Sequence, residues 1–385
     1  MRERMKKRIC IITHRFPTPK VPVQFVFVDE IVTQFADFGY DIDVICPVAV
    51  GKEKERGYMG NRWCKKTNKG NLITVYQPRM ISFSTGKKCG IDFDWLSTMS
   101  FHRTVIKQFR KLMRPDYIYA HFLYSGMVAA RLSELYGVPA FCACGESDPR
   151  ASLAGMPSEC VKSYLNKLTG VVSVSNDNKK FLLDCKLVND ESIIVLPNAV
   201  DQSVFYPHDK SFARKELGFP DDVNIGIFSG GFNERKGVMR VQQAVKGLDK
   251  LYMIYAGSGA QQPTGDNVLY SGVIEHHKLP LYLSAADFFI LPTQAEGCCN
   301  AIVEAMACGL PVISSSGTFN DDILDESNSI RVPANDVEGL KHAVEEIIEN
   351  KNRRSMMSEA SLAKSRPLNL PQRASSILRF MGEEI

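Results

Sequence analysis

The sequence predicts an α/β protein built from two doubly wound domains that face each other across a cleft. Each domain is a mostly parallel sheet with helices on both faces. Three observations carry this. Short β-branched runs alternate with helix-length stretches along the whole chain, the pattern of parallel strands joined by crossover helices. The runs fall into two series, separated by the turn-rich, proline-interrupted segment PNAVDQSVFYPHDK (197–210). Finally, 385 residues exceed the roughly 250–300 that one hydrophobic core supports.

The first series opens with RICIIT (8–13). Phe25, Val28, Ile31, Val32, Phe35 and Phe38 then share one helical face, Gly39 stops the helix, and IDVIC (42–46) resumes as a strand closed by Pro47. DYIYAHF (116–122), VPAFCAC (138–144), GVVSVS (170–175) and SIIVLP (192–197) continue the pattern. The second series runs through NIGIFSG (224–230), LYMIYAG (251–257), ADFFILP (286–292) and LPVISS (310–315). The expected domains are 1–200 and 201–370, with a C-terminal helix at about 371–385 packing back on the first.

Composition narrows the function. Hydrophobic residues make up 44% and charged residues 23%, so disorder, collagen and coiled coil are excluded. No apolar run approaches the ~18 residues that span a bilayer. The apolar run after the basic N-terminus ends at His14-Arg15, too short for a secretory signal. Eleven cysteines without a CxxC pair fit neither a disulfide framework nor a zinc site, and point to a reducing cytosol. Residues 1–200 hold 29 Lys and Arg against 19 Asp and Glu, whereas 201–385 hold 18 against 24. A basic first half suits an anionic partner or membrane face. Its densest part, 52–70, reads as a solvated loop, with membrane or acceptor contact as the alternative. Nothing resembles a nucleic-acid platform.

In doubly wound sheets, ligands bind beyond the carboxyl ends of the strands. A dinucleotide site needs G-x-G-x-x-G after the first strand, but HRFPTP stands there. Gly257-Ser258-Gly259 is followed by Gln262 at the third position, so a dehydrogenase is disfavoured. The stretch 286–314 reads strand, loop, short helix, strand, with Glu296 and Gly297 in the loop, Asn300 and Ala301 opening the helix, and Glu304 one turn inside. An anion at that helix start meets free N–H groups and the positive dipole end. A diphosphate joining a sugar to a ribose fits, with Glu296 accepting from sugar hydroxyls and Glu304 from ribose hydroxyls. In FSGGFNERKG (228–237), Gly230 and Gly231 let backbone approach a ligand, and Arg235 and Lys236 bring two cations to it. Fixed cations stabilise charge developing on a departing diphosphate and need no metal. The competing reading of all these residues is ordinary solvated surface charge.

Residues 193–345 resemble the retaining GT-B glycosyltransferases of family four, the group-one glycosyltransferases. The pattern is a strand ending in proline, then Glu296-Gly297, Asn300, Glu304, Ala307, Gly309, Pro311 and Val312. LPNAVDQSVFYP is similar to the family linker, with Ala199 where glycine is usual. The resemblance implies a UDP- or GDP-linked sugar donor held by Gly230, Gly231, Arg235, Lys236, Glu296, Gly297, Asn300, Ala301 and Glu304. In the N-terminal half, RFPTP and GYDIDVICP resemble the family's opening elements, and Ala120-His121-Phe122 its A-H-F strand end. Cys144-Gly145 stands where a histidine-glycine pair is usual, which leaves Glu146 as the substitute. Gly231 stands where an arginine is usual. His121, Glu146 and Glu296 are therefore the catalytic candidates.

The implied activity is that of a cytoplasmic, metal-independent, retaining glycosyltransferase, needing no cofactor. It moves a sugar to a hydroxyl acceptor, a lipid-linked glycan in capsule, exopolysaccharide or lipopolysaccharide synthesis. The basic N-terminal half adds an expected peripheral contact at the inner face of the plasma membrane. Asp41-x-Asp43 and Asp92-x-Asp94 have the spacing by which other glycosyltransferases hold a metal. Asp41, however, is expected to precede its strand, at the sheet edge away from the cleft, and the second pair fits a helix cap. The rival functions are a sugar-nucleotide epimerase on the same architecture and a degenerate, non-catalytic binding protein.

Overall fold

In a computed structural model, which describes residues 6–22, 24–83, 86–88, 91–153, 156 and 158–385, the chain divides into two compact units. The first comprises residues 1–196 with 374–385, and the second residues 197–373.

The first unit is built on an eight-stranded sheet. Its strands are β1 (Arg8–Ile12), β2 (Asp41–Ile45), β3 (Arg62–Lys66), β4 (Leu72–Tyr76), β5 (Tyr117–His121), β6 (Ala140–Cys144), β7 (Gly170–Ser173) and β8 (Ile193–Val195). Their spatial order is β8-β7-β6-β5-β1-β2-β4-β3. Only the edge strand β3 runs antiparallel to its neighbour. The central strands are mostly apolar because both faces are covered, and alternate residues enter two different cores. Cys10, Ile12, Ile118, Ala120, Cys142 and Val171 pack on one face with Phe101, Val105, Met127 and Val128. Those last four belong to the helices Phe93–Phe109 and Leu123–Tyr136. Ile9, Ile11, Tyr119, Phe141 and Val172 pack on the other face with Val28, Val32, Phe35, Ile377 and Leu378. These come from the helix Val26–Asp37 and the C-terminal helix Leu370–Phe380. Beyond that last helix, Glu383 accepts from Lys7 Nζ at 2.6 Å and Tyr40 Oη at 2.9 Å.

The second unit has strands β9 (Asn224–Ser229), β10 (Leu251–Ala256), β11 (Val268–Gly272), β12 (Phe288–Leu291), β13 (Val312–Ser315) and β14 (Ser329–Val332). They form an all-parallel sheet in the order β11-β10-β9-β12-β13-β14. Asp287, at the entrance to β12, ties this sheet to the helix Lys210–Leu217, which precedes β9. It accepts from Arg214 Nη2 at 2.8 Å, Lys210 Nζ at 2.7 Å and the Ile225 amide at 2.8 Å. After the helix Asn300–Ala307, Gly309 has φ 79°, the left-handed conformation that ends helices.

Three expectations need correction. The basic stretch 52–70 is not a plain solvated loop, because Arg62–Lys66 within it forms β3 and Lys65 Nζ lies 2.5 Å from Asp29. Charged side chains on an edge strand discourage further strand pairing. Phe38 is not on the buried helical face; it follows the last helical residue and is 38% exposed. Phe25 is the N-cap of that helix rather than part of it, with φ 56°.

Candidate donor site and the strand ends of the first unit

In the second unit the turn after β9 lies against the turn after β10. The Gly230 amide donates to Ala256 O at 2.9 Å, and the Phe232 amide to Ser258 O at 2.8 Å. A Cβ at residue 257 would collide with the Gly230 carbonyl oxygen. The Gly257-Ser258-Gly259 motif therefore buttresses the glycine turn at 230–231. The Gln294 amide donates to Arg235 O at 2.9 Å, and Arg240 Nη2 donates to Pro292 O at 3.0 Å. These bonds fix residues 230–237 against the loop after β12.

Those two loops bring the paired cations onto the first glutamate. Arg235 Nη1 lies 2.7 Å from Glu296 Oε1 and also donates to Ala295 O at 2.5 Å. Lys236 Nζ lies 2.5 Å from the same Oε1, and Thr293 Oγ1 donates to it at 3.0 Å. Glu296 is buried, whereas Arg235 is two-fifths exposed. Burial works against the Lys236 ammonium, but the Cys299 sulfur and the Glu296 carboxylate outweigh it and raise its pKa. With one carboxylate between two cations, the cluster keeps a net positive charge.

Asn300, the first residue of the helix, is held by the linker: Asn198 Nδ2 donates to Asn300 Oδ1 at 2.6 Å and to Cys298 O at 2.9 Å. Gly297 is buried in the loop and Ala301 half-buried on the first turn. Glu304 does not join the cation cluster. Its Oε1 lies 3.2 Å from His276 Nε2, and the His276 ring sits 5.0 Å from that of Phe205.

In the first unit, His121 ends β5 on the face that carries Tyr119. Its ring is buried, 5.3 Å from Tyr119 and 6.5 Å from Phe27. Glu146 follows β6, and its Oε1 accepts from the Leu123 amide at 2.5 Å, two residues beyond His121. This carboxylate therefore caps the helix that starts at Leu123, where the dipole favours negative charge. Burial nevertheless pushes its pKa up to about 7, against the Leu123 hydrogen bond. Burial also drives the Cys144 thiol well above its usual value, so Cys144 stays protonated at neutral pH.

The two aspartate pairs have structural partners, and Asp41 does not precede its strand: it is the first residue of β2, which also contains Asp43. Arg8 forks onto Asp41 at 2.8 Å and Asp43 at 2.7 Å. Asp92 caps its helix through the Trp95 amide at 3.0 Å, and Asp94 accepts from the Gly86 amide at 2.9 Å.

A family model described as "Glycosyl transferases group 1" matches residues 209–364, and one described as "Glycosyltransferase Family 4" matches residues 24–204. The chain belongs to the group 1 glycosyltransferases. This glycosyltransferase is 26% identical over 357 residues to a Bacillus subtilis protein carrying the name teichuronic acid biosynthesis glycosyltransferase TuaC, with 88% of each chain covered. It superposes on sucrose-phosphate synthase from Thermosynechococcus elongatus with TM-score 0.80 at 18% identity, covering 98% of both chains. Anabaena Alr3699/HepE, solved in complex with UDP, superposes with TM-score 0.72 at 14% identity, covering 98% of this chain and 99% of that one. The fold is GT-B.

The sequence reading of this glycosyltransferase missed Asn198, Thr293 and His276. Asn198 lay inside the quoted linker motif. Thr293 follows the strand-ending proline and carried no charge to draw notice. His276 stands in a short helical turn after β11, itself an unanticipated strand.

Proposed function

We propose that this group 1 glycosyltransferase takes a UDP- or GDP-linked sugar and transfers it, with retention of configuration and without a metal, to a hydroxyl on a lipid-linked glycan. One observation carries the donor half: Arg235 and Lys236 meet on Glu296 directly before the helix that opens at Asn300. As the bond from the anomeric carbon to the phosphate oxygen breaks, the electron pair stays on the departing diphosphate. Arg235, Lys236 and the helix start stabilise that charge. The acceptor oxygen forms the new bond to the anomeric carbon and gives up its proton to the departing diphosphate oxygen. Glu296, oriented by its two cations and Thr293, is suited to accept from sugar hydroxyls. Glu304, beside His276, is suited to accept from the ribose.

Retention and the glycan acceptor rest on the family resemblance, and the TuaC name supports a polysaccharide product. No helix among the described residues is long and apolar enough to cross a membrane.

A thermal-shift panel of UDP- and GDP-sugars tests the donor assignment. Ligand at 100 times its Kd adds about 2.7 kcal/mol of stability, so one donor class should raise the melting temperature clearly. A panel with no response would overturn the assignment. Transfer should also persist in EDTA, and proton NMR of the fresh product should show the donor's anomeric configuration.

A further inference from the structure

The first unit carries a second cation pair, at the carboxyl ends of β1 and β2, that the donor reading does not use. Arg15 lies three residues beyond β1. Arg56 comes from the loop after β2, and its Nη1 donates to His14 O at 3.1 Å. Arg15 Nη2 and Arg56 Nε both lie 3.9 Å from Glu55 Oε1. That carboxylate is shared further with Lys52 at 3.1 Å. Three cations thus gather around one half-exposed carboxylate, at distances too long for strong pairing with either guanidinium.

The surroundings hold this arrangement in place. The Arg15 guanidinium stands 5.9 Å over the Phe25 ring, a cation–π contact. His14 packs between Phe25 at 5.2 Å and Phe122 at 5.6 Å, and its Nδ1 is shielded from solvent with no hydrogen-bond partner. Burial, then Arg56 and Arg15, push the His14 pKa down to about 4, so the imidazole is neutral and does not relieve or add to the charge. Phe25 and Phe122 both have left-handed backbones, with φ 56° and 70°. Such strain in bulky residues gathers at binding sites. Both arginine side chains stay about a quarter to a third exposed.

One carboxylate, Glu55, offsets the charge of these three cations only in part, so a further anion joining them would be stabilised. In the donor reading the diphosphate is met by Arg235 and Lys236 of the second unit, which leaves Arg15 and Arg56 for a different anion. We propose that Arg15 and Arg56 bind a phosphate or diphosphate group carried by the acceptor. The planar guanidinium fork matches phosphate oxygens, and the Phe25 and Phe122 rings give the rest of the acceptor an apolar wall. This rests on the glycosyltransferase reading for the word acceptor, but the anion site itself does not depend on it.

The test uses the full chain, saturated with whichever of UDP or GDP raises its melting temperature, and titrates inorganic pyrophosphate by calorimetry. Wild type should bind, Arg15→Gln/Arg56→Gln at least ~10-fold more weakly, and Glu55→Gln more tightly. Affinity for the nucleotide should stay the same in all three, and melting temperatures should show that each folds. A merely structural arginine pair would not respond to Glu55→Gln. Unchanged pyrophosphate affinity in the double variant would overturn the proposal, as would a parallel fall in nucleotide affinity, which would assign the pair to the donor. If neither nucleotide binds, the donor reading fails while the dependence of pyrophosphate on Arg15 and Arg56 still decides the anion site. Phosphatidylcholine vesicles doped with dicetyl phosphate then identify the source. Binding lost in the double variant supports a lipid-borne phosphate, and pyrophosphate dependence without vesicle dependence supports a soluble one.

Discussion

The Nζ of Lys236 and the Oε1 of Glu296 lie 2.5 Å apart, and Arg235 Nη1 reaches the same oxygen at 2.7 Å. The carboxylate expected to meet the sugar is thus positioned by the cations expected to meet the diphosphate. Substituting Lys236 with Ala should lower kcat/KM by about 100-fold, the usual loss for one charge-stabilising group. The melting temperature should fall little, because Arg235 and Thr293 still hold Glu296. Steady-state kinetics beside a thermal melt check this, and wild-type turnover in the Arg235→Ala/Lys236→Ala double variant would remove the diphosphate assignment.

Asp287 gives a stability prediction far from the chemistry. Burial alone would raise its pKa, but Lys210, the Ile225 amide and Arg214 outweigh burial and hold it below the ordinary carboxylate value. A depressed folded-state pKa means that this stabilisation is complete above the unfolded pKa near 4 and is lost as pH falls through the lower folded value. Asp287→Ala should cost about 3–5 kcal/mol at pH 7, since it leaves Arg214 buried without its counter-ion. Urea unfolding at pH 7 and pH 3 should show the difference between variant and wild type shrinking on acidification.

Glu146 has the opposite sign. Its folded pKa, about 7, lies above the unfolded value, so the folded chain holds the proton between roughly pH 4.5 and 7. The wild type should therefore lose stability relative to Glu146→Gln as pH rises from 5 to 8. The glutamine oxygen still accepts from the Leu123 amide, so the cap is kept. Paired urea melts at the two pH values measure this, and a pH-independent difference would show that Glu146 is ionised throughout.

The central strands of both sheets were legible because two covered faces demand apolar runs such as ICII and FFIL. The edge strand Arg62–Lys66 was not, because RWCKK has one large apolar residue and its charges read as loop. The loop, helix start and glycine stop of 296–309 were legible from local chemistry. The join between Arg235 and Glu296 spans 61 residues, and sequence spacing carries no record of which loops the sheet order brings together. The same holds for Arg15 and Arg56, which belong to turns after different strands and meet only because β1 and β2 are neighbours.

Calorimetry with the free nucleoside diphosphate on Glu296→Gln and Glu304→Gln tests the donor geometry most directly. Neutralising Glu296 leaves Arg235 and Lys236 without their shared counter-ion, and the ligand has no sugar for that residue to contact. Its affinity should hold or rise while turnover falls. Glu304→Gln should weaken binding by about 1–2 kcal/mol, the loss when a charge-assisted hydrogen bond to the ribose becomes neutral. If Glu296→Gln loses nucleotide affinity and Glu304→Gln does not, the diphosphate does not lie with its sugar toward Glu296 and its ribose toward Glu304.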